Sequence, residues 1–351
     1  MKRHLSLMLC LLLLFPLAAC RQGESKGMEK YTEYYFDYFD TATTVVGYAE
    51  SKEAFDATAE QIRSELERYH RLYDIYSTYE GIHNLCTVNS TEGGVHRPVA
   101  VDGEILSLLR FAKQMYKETN GTVNVAMGSV LSLWHDCREQ ALLRPDEAAL
   151  PSTEDLLRAA EHTDIEQVII DEEAGTVYLA DPLMTLDVGA VAKGYATEQI
   201  AKALREQDVS GFMLNVGGNV RTVGHKPDGS AWTVGIENPD RLSADAYVTT
   251  VDIEELAVVT SGSYQRFYTV DGTSYHHIIH PETLFPAAHY LSVSVLCPDA
   301  GVADALSTAL FCMPLEDGYA CIADRAEVAV LWVLPDGSIE KTENFPTATD
   351  S

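Results

Sequence analysis

The stretch GFMLNVGGNVRTVGH, residues 211–225, decides the fold class. Two strand-like runs, 211–216 and 219–225, flank Gly217-Gly218. Paired glycines between strands permit the positive φ of a tight turn, so the segment reads as a β-hairpin. It does not fit the dinucleotide-binding GxGxxG pattern, because the third glycine is missing at the right offset and no long helix follows. Downstream, short strands are expected at 231–237, 247–253, 256–260, 265–270, 274–279 and 290–297, then a helix at 301–312 and a strand pair within 326–341. Upstream, the spacing of Phe55, Ala59, Ile62, Leu66, Tyr69, Tyr73 and Tyr76 predicts an amphipathic helix over 52–76. Helices are also expected at 103–118, stopped by Asn120-Gly121, near 153–162 with Ser152 as cap, and at about 190–206. Residues 34–49 read as a strand pair or a bent strand, and 167–180 as a hairpin. Strands joined by short turns make this an α+β protein of mixed, mainly antiparallel sheets with packed helices, not a β-α-β alternation.

The chain has 351 residues, 46% of them hydrophobic, with 25 Lys+Arg against 53 Asp+Glu and a formal net charge of −28. The apolar content excludes disorder as the default state. The acidity argues against nucleic acid as a partner, because a phosphate backbone repels such a surface. It is compatible with binding a cation such as Mg²⁺, although most excess carboxylates on any protein simply face solvent.

The N-terminus carries Lys2, Arg3 and His4, an apolar run from Leu5 to Leu14, and Leu17-Ala18-Ala19-Cys20. This is the layout of a secretory signal, too short for a membrane-spanning helix. Leu-Ala-Ala-Cys resembles the lipobox of bacterial lipoproteins, which implies cleavage before Cys20 and its lipidation; the alternative is an ordinary signal with a chance cysteine. Loss of Lys2 and Arg3 would take the charge from −28 to −30. So acidic a domain does not adhere to anionic lipid by itself, and its anchor must be covalent. The expected division is signal peptide 1–19, lipidated tether 20–30, one domain 31–341 and a loose polar tail 342–351. Cys86, Cys137, Cys297, Cys312 and Cys321 remain, an odd number without a CxxC, and predict no disulfide framework or zinc ribbon.

Four local patterns carry chemistry. In Leu186-Asp187-Val188-Gly189-Ala190-Val191-Ala192-Lys193-Gly194, a strand ends at an acid, a tight turn follows and a helix begins. Its free N–H groups and Lys193 suit a phosphate, although the order is not that of a P-loop, and a packed strand-turn-helix is the other reading. Asn215-Val216-Gly217-Gly218-Asn219 is best read by itself as a turn. Tyr275-His276-His277-Ile278-Ile279-His280-Pro281 invites a metal reading, but in a strand His277 and His280 would face opposite ways; a single histidine at the strand end suits a general base, and exposed strand-end histidines are as plausible. Asp304 and Thr308 lie four apart on a helix, so both oxygens share a face that suits a hard cation; a capping Asp is the bland reading.

Taken in order, D-x-G-A-x-A-K-G-Y-A, N-V-G-G-N, T-S-G-x-Y-x-R-F, H-I-I-x-P-x-T and P-D-A-x-x-A-D-A-L-S-T-A-L resemble the ApbE family of flavin transferases, over about residues 35–335. Ser77-Thr78-Tyr79, Gly121-Thr122-Val123-Asn124 and Leu133-Trp134 stand in further family slots. The resemblance implies a T-fold-like α+β architecture that binds FAD, and a Mg²⁺-dependent transfer of FMN from FAD to a threonine hydroxyl of an acceptor flavoprotein, releasing AMP. It implies the Ala190 carbonyl, Asp304 and Thr308 as Mg²⁺ ligands and His277 as the reactive histidine. Asp187 and Lys193 match flavin and phosphate contacts. Phe39, Tyr79, Thr122, Val123, Asn124, Ser261 and Gly262 match other FAD-contact positions, with Tyr79 expected to stack on a cofactor ring. It also implies an exported, lipid-anchored enzyme on the outer face of the bacterial cytoplasmic membrane or the periplasmic side of the envelope. Four positions depart from the pattern: Asp40 and Leu284 replace common glycines, Asn124 an Asp, and His280 an Asp or Asn. The rival functions are an FAD pyrophosphatase giving FMN and AMP, and a non-enzymatic flavin-binding lipoprotein.

Overall fold

The computed structural model describes residues 27–91 and 95–346; the expected signal peptide and Cys20 lie outside them. The chain opens with the hairpin β1 (Glu29–Tyr38) and β2 (Thr41–Ala49), then α1 (Lys52–Tyr73), α2 (Leu85–Asn89), the short β3 (Val99–Ala100), α3 (Gly103–Glu118), α4 (Gly128–Leu143) and α5 (Thr153–Ala160). The hairpin β4 (Val168–Asp171) and β5 (Thr176–Leu179) leads to α6 (Ala192–Glu206). Strands β6 (Phe212–Val216), β7 (Asn219–Val223), β8 (Trp232–Glu237), β9 (Tyr247–Ile253), β10 (Ala257–Gly262), β11 (Phe267–Val270), β12 (Thr273–His276) and β13 (Ser292–Cys297) follow. The chain closes with α7 (Ala300–Cys312), α8 (Leu315–Cys321), β14 (Ala329–Val333) and β15 (Ile339–Lys341).

Eight strands make one open sheet in the order β1-β2-β6-β7-β10-β13-β14-β15, and every neighbouring pair is antiparallel. The period-two alternation of strand side chains divides its core in two. Val293 and Val295 of β13 face a layer that includes Phe55, Ile62, Ile200, Leu306 and Leu310 of α1, α6 and α7. Leu296 faces the ribbon of β8 and β9, through Trp232, Val234, Ile236, Val251 and Ile253. Each such fully buried aliphatic or aromatic side chain contributes about 1.5–3 kcal/mol of transfer free energy. A third cluster gathers Trp134 of α4, Leu156 of α5, Tyr268 of β11, and Ile279 and Leu284.

Several boundaries differ from expectation for local reasons. Helix α1 stops at Tyr73, because Asp74 is extended (ψ 125) and its Oδ1 accepts the N–H groups of Tyr76 and Ser77 at 2.7 and 3.1 Å. The segment before Asp187 is not a strand. Leu186 instead exchanges two hydrogen bonds with the Asn89 side chain (2.7 and 2.9 Å), and Asp187 N–H donates to the Val125 carbonyl at 2.8 Å. Residues 342–346, expected to open a loose tail, are packed: Val330 N–H donates to Thr342 Oγ1 at 3.0 Å and Phe345 is buried. Strand β1 takes Glu29 and Lys30 from the expected tether. The five cysteines among the described residues are free thiols. No helix among the described residues is long and apolar enough to cross a membrane.

Candidate functional site

A cleft of about 850 Å³ runs between the β1–β2 turn, the end of α1, one face of α4, the N-terminus of α6, the turn joining β6 to β7, and the segment after β12. That is within the range of small-molecule and cofactor sites. Twelve of the thirteen expected binding and catalytic residues outside the N-terminus line it: Phe39, Thr122, Val123, Asn124, Asp187, Ala190, Lys193, Ser261, Gly262, His277, Asp304 and Thr308. Tyr79 does not. Its hydroxyl donates to Asp74 Oδ2 at 2.7 Å, and its ring meets His70 edge-on. Asp74 and His70 are the residues that reach the cleft, and Tyr79 braces them from behind. His70 in turn accepts the Phe39 N–H on Nδ1 at 3.2 Å.

Four cations, Arg138, Lys193, Arg241 and Arg266, face the cleft beside five carboxylates, Asp40, Asp74, Asp187, Glu237 and Asp304. The whole chain has more than two acids per Lys or Arg, so the cleft is enriched in positive charge relative to the surface around it. That local balance suits an anionic ligand.

Asp304 sits at the closest approach of α6 and α7. Its Oδ2 accepts the Gly194 N–H at 2.8 Å, and its Oδ1 lies 3.9 Å from Lys193 Nζ. Only 4% of Asp304 is exposed. Burial raises its pKa, against the Lys193 ammonium, the Gly194 N–H and a hydrogen bond from the Asn219 side chain. A buried carboxylate whose nearest cation is almost 4 Å away gains from further positive charge. Thr308 stands one turn along α7, with Ser261 Oγ 3.4 Å from Thr308 Oγ1 and 2.8 Å from Ser307 Oγ. No group of three or more His, Cys, Asp or Glu side chains converges among the described residues. A set of one carboxylate, one hydroxyl and one carbonyl is nonetheless the oxygen chemistry Mg²⁺ takes, since it keeps several waters and binds substrate phosphates through the rest of its shell. Asp304, Thr308 and the Ala190 carbonyl, all on the cleft wall, fit it.

The geometry around Asp304 depends on a buried ionic clamp. Arg221 of β7 donates from Nε to Glu198 Oε2 at 2.7 Å, and the first N–H of α7, that of Ala300, donates to the same oxygen at 3.0 Å. Glu198 also pairs with Arg205 at 2.9 Å. The clamp ties β7, α6 and α7 together. The first residues of α6, Ala192 and Lys193, reach the cleft, and no side chain caps that helix. Its N-terminus is therefore available to negative charge.

His277 follows β12 and faces the solvent of the cleft. Its Nδ1 lies 3.2 Å from the Arg266 carbonyl, which only accepts, so Nδ1 carries the proton and Nε2 is the free base. Protein on most sides of the ring, together with Arg266, His276 and Lys193, lowers its pKa to about 3. The imidazole is thus neutral at physiological pH. Asp187, also on the cleft wall, has its carboxyl raised by burial, opposed by the Gly189 N–H donated to Oδ1 at 2.8 Å and by His135 and Arg266.

Two of the departures from the family pattern sit at strained backbone. Phe39 and Asp40 have φ of 54° and 50°, and the flanking Tyr38 and Thr41 pair across the hairpin. Positive φ at both central residues of a two-residue loop is the requirement of a type I′ turn, which favours glycine at the second. Arg266 Nη2 donates to the Asp40 carbonyl at 3.0 Å and holds that turn against the cleft. Leu284 has φ 61°, and its carbonyl accepts Trp134 Nε1 at 2.9 Å. His280, at the usual Asp/Asn position, accepts the Glu282 and Thr283 N–H groups on Nδ1 at 3.1 and 3.4 Å. Asn124 Oδ1 accepts the Ala126 N–H at 2.9 Å while its Nδ2 donates to the Thr163 carbonyl at 2.8 Å. Sequence reasoning missed Arg138, His135 and Arg241 as cleft residues and Asn219 as a member of the site. Isolated charged residues read as solvated surface, and Asn219 read as part of a turn.

An open antiparallel sheet backed by α6 and α7, with a buried acid, a lysine and a neutral histidine in one cleft, makes this an α+β protein with its candidate site at one end of the sheet. The chain belongs to the ApbE family, whose model matches residues 39–332. It is 32% identical to a Klebsiella pneumoniae FAD:protein FMN transferase, over 69% of this chain and 72% of that one. It is 27% identical to the Haemophilus influenzae protein of the same name, over 95% and 94%. The crystal structure of the ApbE protein from Thermotoga maritima superposes with a TM-score of 0.78 at 28% identity, over 90% of this chain and 98% of that one.

Proposed function

We propose that this protein is an FAD:protein FMN transferase that uses Mg²⁺ and attaches FMN to a threonine hydroxyl of an acceptor flavoprotein, releasing AMP. The observation that supports this most is that one cleft holds His277, Lys193 and the Asp304–Thr308 pair. Asp304, Thr308 and the Ala190 carbonyl would hold the metal, which when bound supplies charge neutralisation at the phosphates. His277 Nε2 takes the proton from the acceptor hydroxyl as that oxygen forms its bond to the FMN phosphorus. The bond from that phosphorus to the oxygen of the AMP moiety breaks, and AMP leaves with the electron pair. Lys193 and the N-terminus of α6 offset the charge of the phosphates. Phe39 and Asp187 hold the flavin end. We also propose that the protein is exported and anchored through a lipid on Cys20, outside the cytoplasm, where its acidic surface keeps the domain off anionic membrane.

Incubation with FAD, Mg²⁺ and a threonine-containing acceptor peptide tests the reading. A fluorescent peptide heavier by one FMN, with AMP in equal amount, is expected. AMP with free FMN and no labelled peptide would make the protein an FAD pyrophosphatase, and no AMP at all would make it a flavin binder. Asp304→Ala should weaken transfer and raise the Mg²⁺ concentration needed for half-saturation; an unaltered Mg²⁺ titration removes Asp304 from the ligand set. Metabolic labelling with a radioactive fatty acid, lost in Cys20→Ala, tests the anchor.

A further inference from the structure

The apolar spacing of α1 predicts Tyr76 on its buried face, but the helix stops at Tyr73. Asp74 Oδ1 accepts the Tyr76 N–H at 2.7 Å, and beyond that corner Tyr76 lines the cleft. Its ring lies on the imidazole of His135, with centroids 5.0 Å apart and planes at 27°. That imidazole is itself held. Arg138 Nη2, which can only donate, lies 3.2 Å from His135 Nδ1, so Nδ1 accepts. Tyr76 therefore has a fixed backbone and one face backed by a fixed ring. It is nevertheless 59% exposed, which leaves its other face to the cleft. A lone exposed aromatic needs no explanation on an ordinary surface; one propped in this way on a cavity wall is a platform. Tyr79, where the family resemblance places a stacking ring, commits its hydroxyl to Asp74 and does not line the cleft.

The neighbours of the Tyr76 hydroxyl locate it along the cleft. Burial raises its pKa to about 12; Asp187 and Asp40 add to the rise, and Arg138 and Arg266 oppose it. The phenol is thus neutral at physiological pH, and it stands by Asp187 and by the turn of Phe39 and Asp40, the wall that holds the flavin end in the proposed function. We propose that Tyr76 is a flavin-binding residue, and that the isoalloxazine ring of FAD stacks on the face of Tyr76 turned away from His135. The inference rests on the transferase reading for the identity of the ligand. An electron-rich phenol and the electron-poor isoalloxazine are suited to offset stacking, and the imidazole behind Tyr76 keeps the platform in place before the ligand arrives.

FAD binding by calorimetry without Mg²⁺, where no turnover occurs, and the fluorescence decay of the bound flavin test this. Tyr76→Leu should raise the FAD Kd about 10-fold, the order of one lost ring stack, and leave the AMP Kd and the melting temperature near wild-type values. A phenol in contact with an excited flavin quenches it by passing it an electron, which then returns. Wild type should therefore show a fast decay component that Tyr76→Phe loses while its FAD Kd stays within about threefold, because a benzene ring stacks but is not oxidised. A Tyr76→Leu Kd within twofold of wild type overturns the proposal. So does a fast component that persists in Tyr76→Phe, or an AMP affinity that falls as much as that for FAD, which would place adenine on the ring. Neither measurement needs an acceptor. A protein that binds FAD in this way but labels no peptide would sink the transferase reading and leave Tyr76 as the flavin platform.

Discussion

The Gly194 N–H reaches across from α6 to Asp304 Oδ2 on α7 at 2.8 Å, and a Cβ on Gly194 would overlap both the Asp304 Cβ and the Ala300 carbonyl. The helices come this close only because residue 194 has no side chain. Gly194→Ala should push α7 away from α6 and move Asp304 off the metal position. Overpacking of this kind costs about 1–3 kcal/mol. A melting curve and a Mg²⁺ titration check it together: both midpoints should worsen, and an Ala variant with unchanged Mg²⁺ dependence would show that the approach of the helices is irrelevant to the site.

His277→Ala should reduce transfer about 10²–10⁴-fold, the usual contribution of a positioned general base, while FAD still binds. Because the pKa of His277 is lowered to about 3, its base form persists on the acid side of the ordinary histidine value. The acid limb of kcat/KM should therefore fall below pH ~6.5. Steady-state rates between pH 4 and 8 test this, and a limb centred at or above that value would assign the titration to another group.

Asp40→Gly should stabilise the protein. An L-residue in the left-handed region costs about 1–2 kcal/mol, and the entropy penalty of glycine returns about half of that. A rise in Tm of a degree or two is expected, with the Arg266 hydrogen bond to the residue 40 carbonyl retained because it needs only backbone. A lower Tm would mean that the Asp40 side chain itself holds the turn.

Stability should weaken on the acid side. Burial lowers the pKa of His276, His277 and His280 in the folded protein. The unfolded chain then binds more protons as the pH drops below about 6.5, so stability is fully present above that value and declines as the pH falls toward the folded pKa values. Glu282 opposes the shift at His280 and His289 reinforces it. His280→Asn keeps an acceptor for the Glu282 N–H and removes one titration. Its urea midpoint should fall less than wild type between pH 7.5 and 5; identical losses would place the acid sensitivity elsewhere.

The hairpins and the α6–α7 pair were legible because their signals are local. Gly217-Gly218 marks a turn, Ser152 caps α5, and Asp304 and Thr308 share a helix face whatever surrounds it. Helix α4 was not legible. Its apolar residues do not form one stripe: Trp134 packs toward Tyr268, Tyr275 and Phe285, and α4 also meets α5. The place of Tyr79 was misjudged for a similar reason. An aromatic near a cleft motif suits stacking, but the early end of α1 at Asp74 turns that tyrosine inward. Asn219 shows the same gap, since its place beside Asp304 exists only once the strands around it are in register.

Strand β1 carries the chain from Glu29 to the turn at Phe39 and Asp40 on the cleft wall. Ten extended residues span about 33 Å. Whatever lies before Glu29 is therefore joined to the cleft wall through about three nanometres of stiff, sheet-bonded strand. Under the proposed anchor at Cys20, the turn at Phe39 and Asp40 would be held by the sheet at the far end of that strand, so the cleft would meet acceptors away from the membrane surface rather than on it.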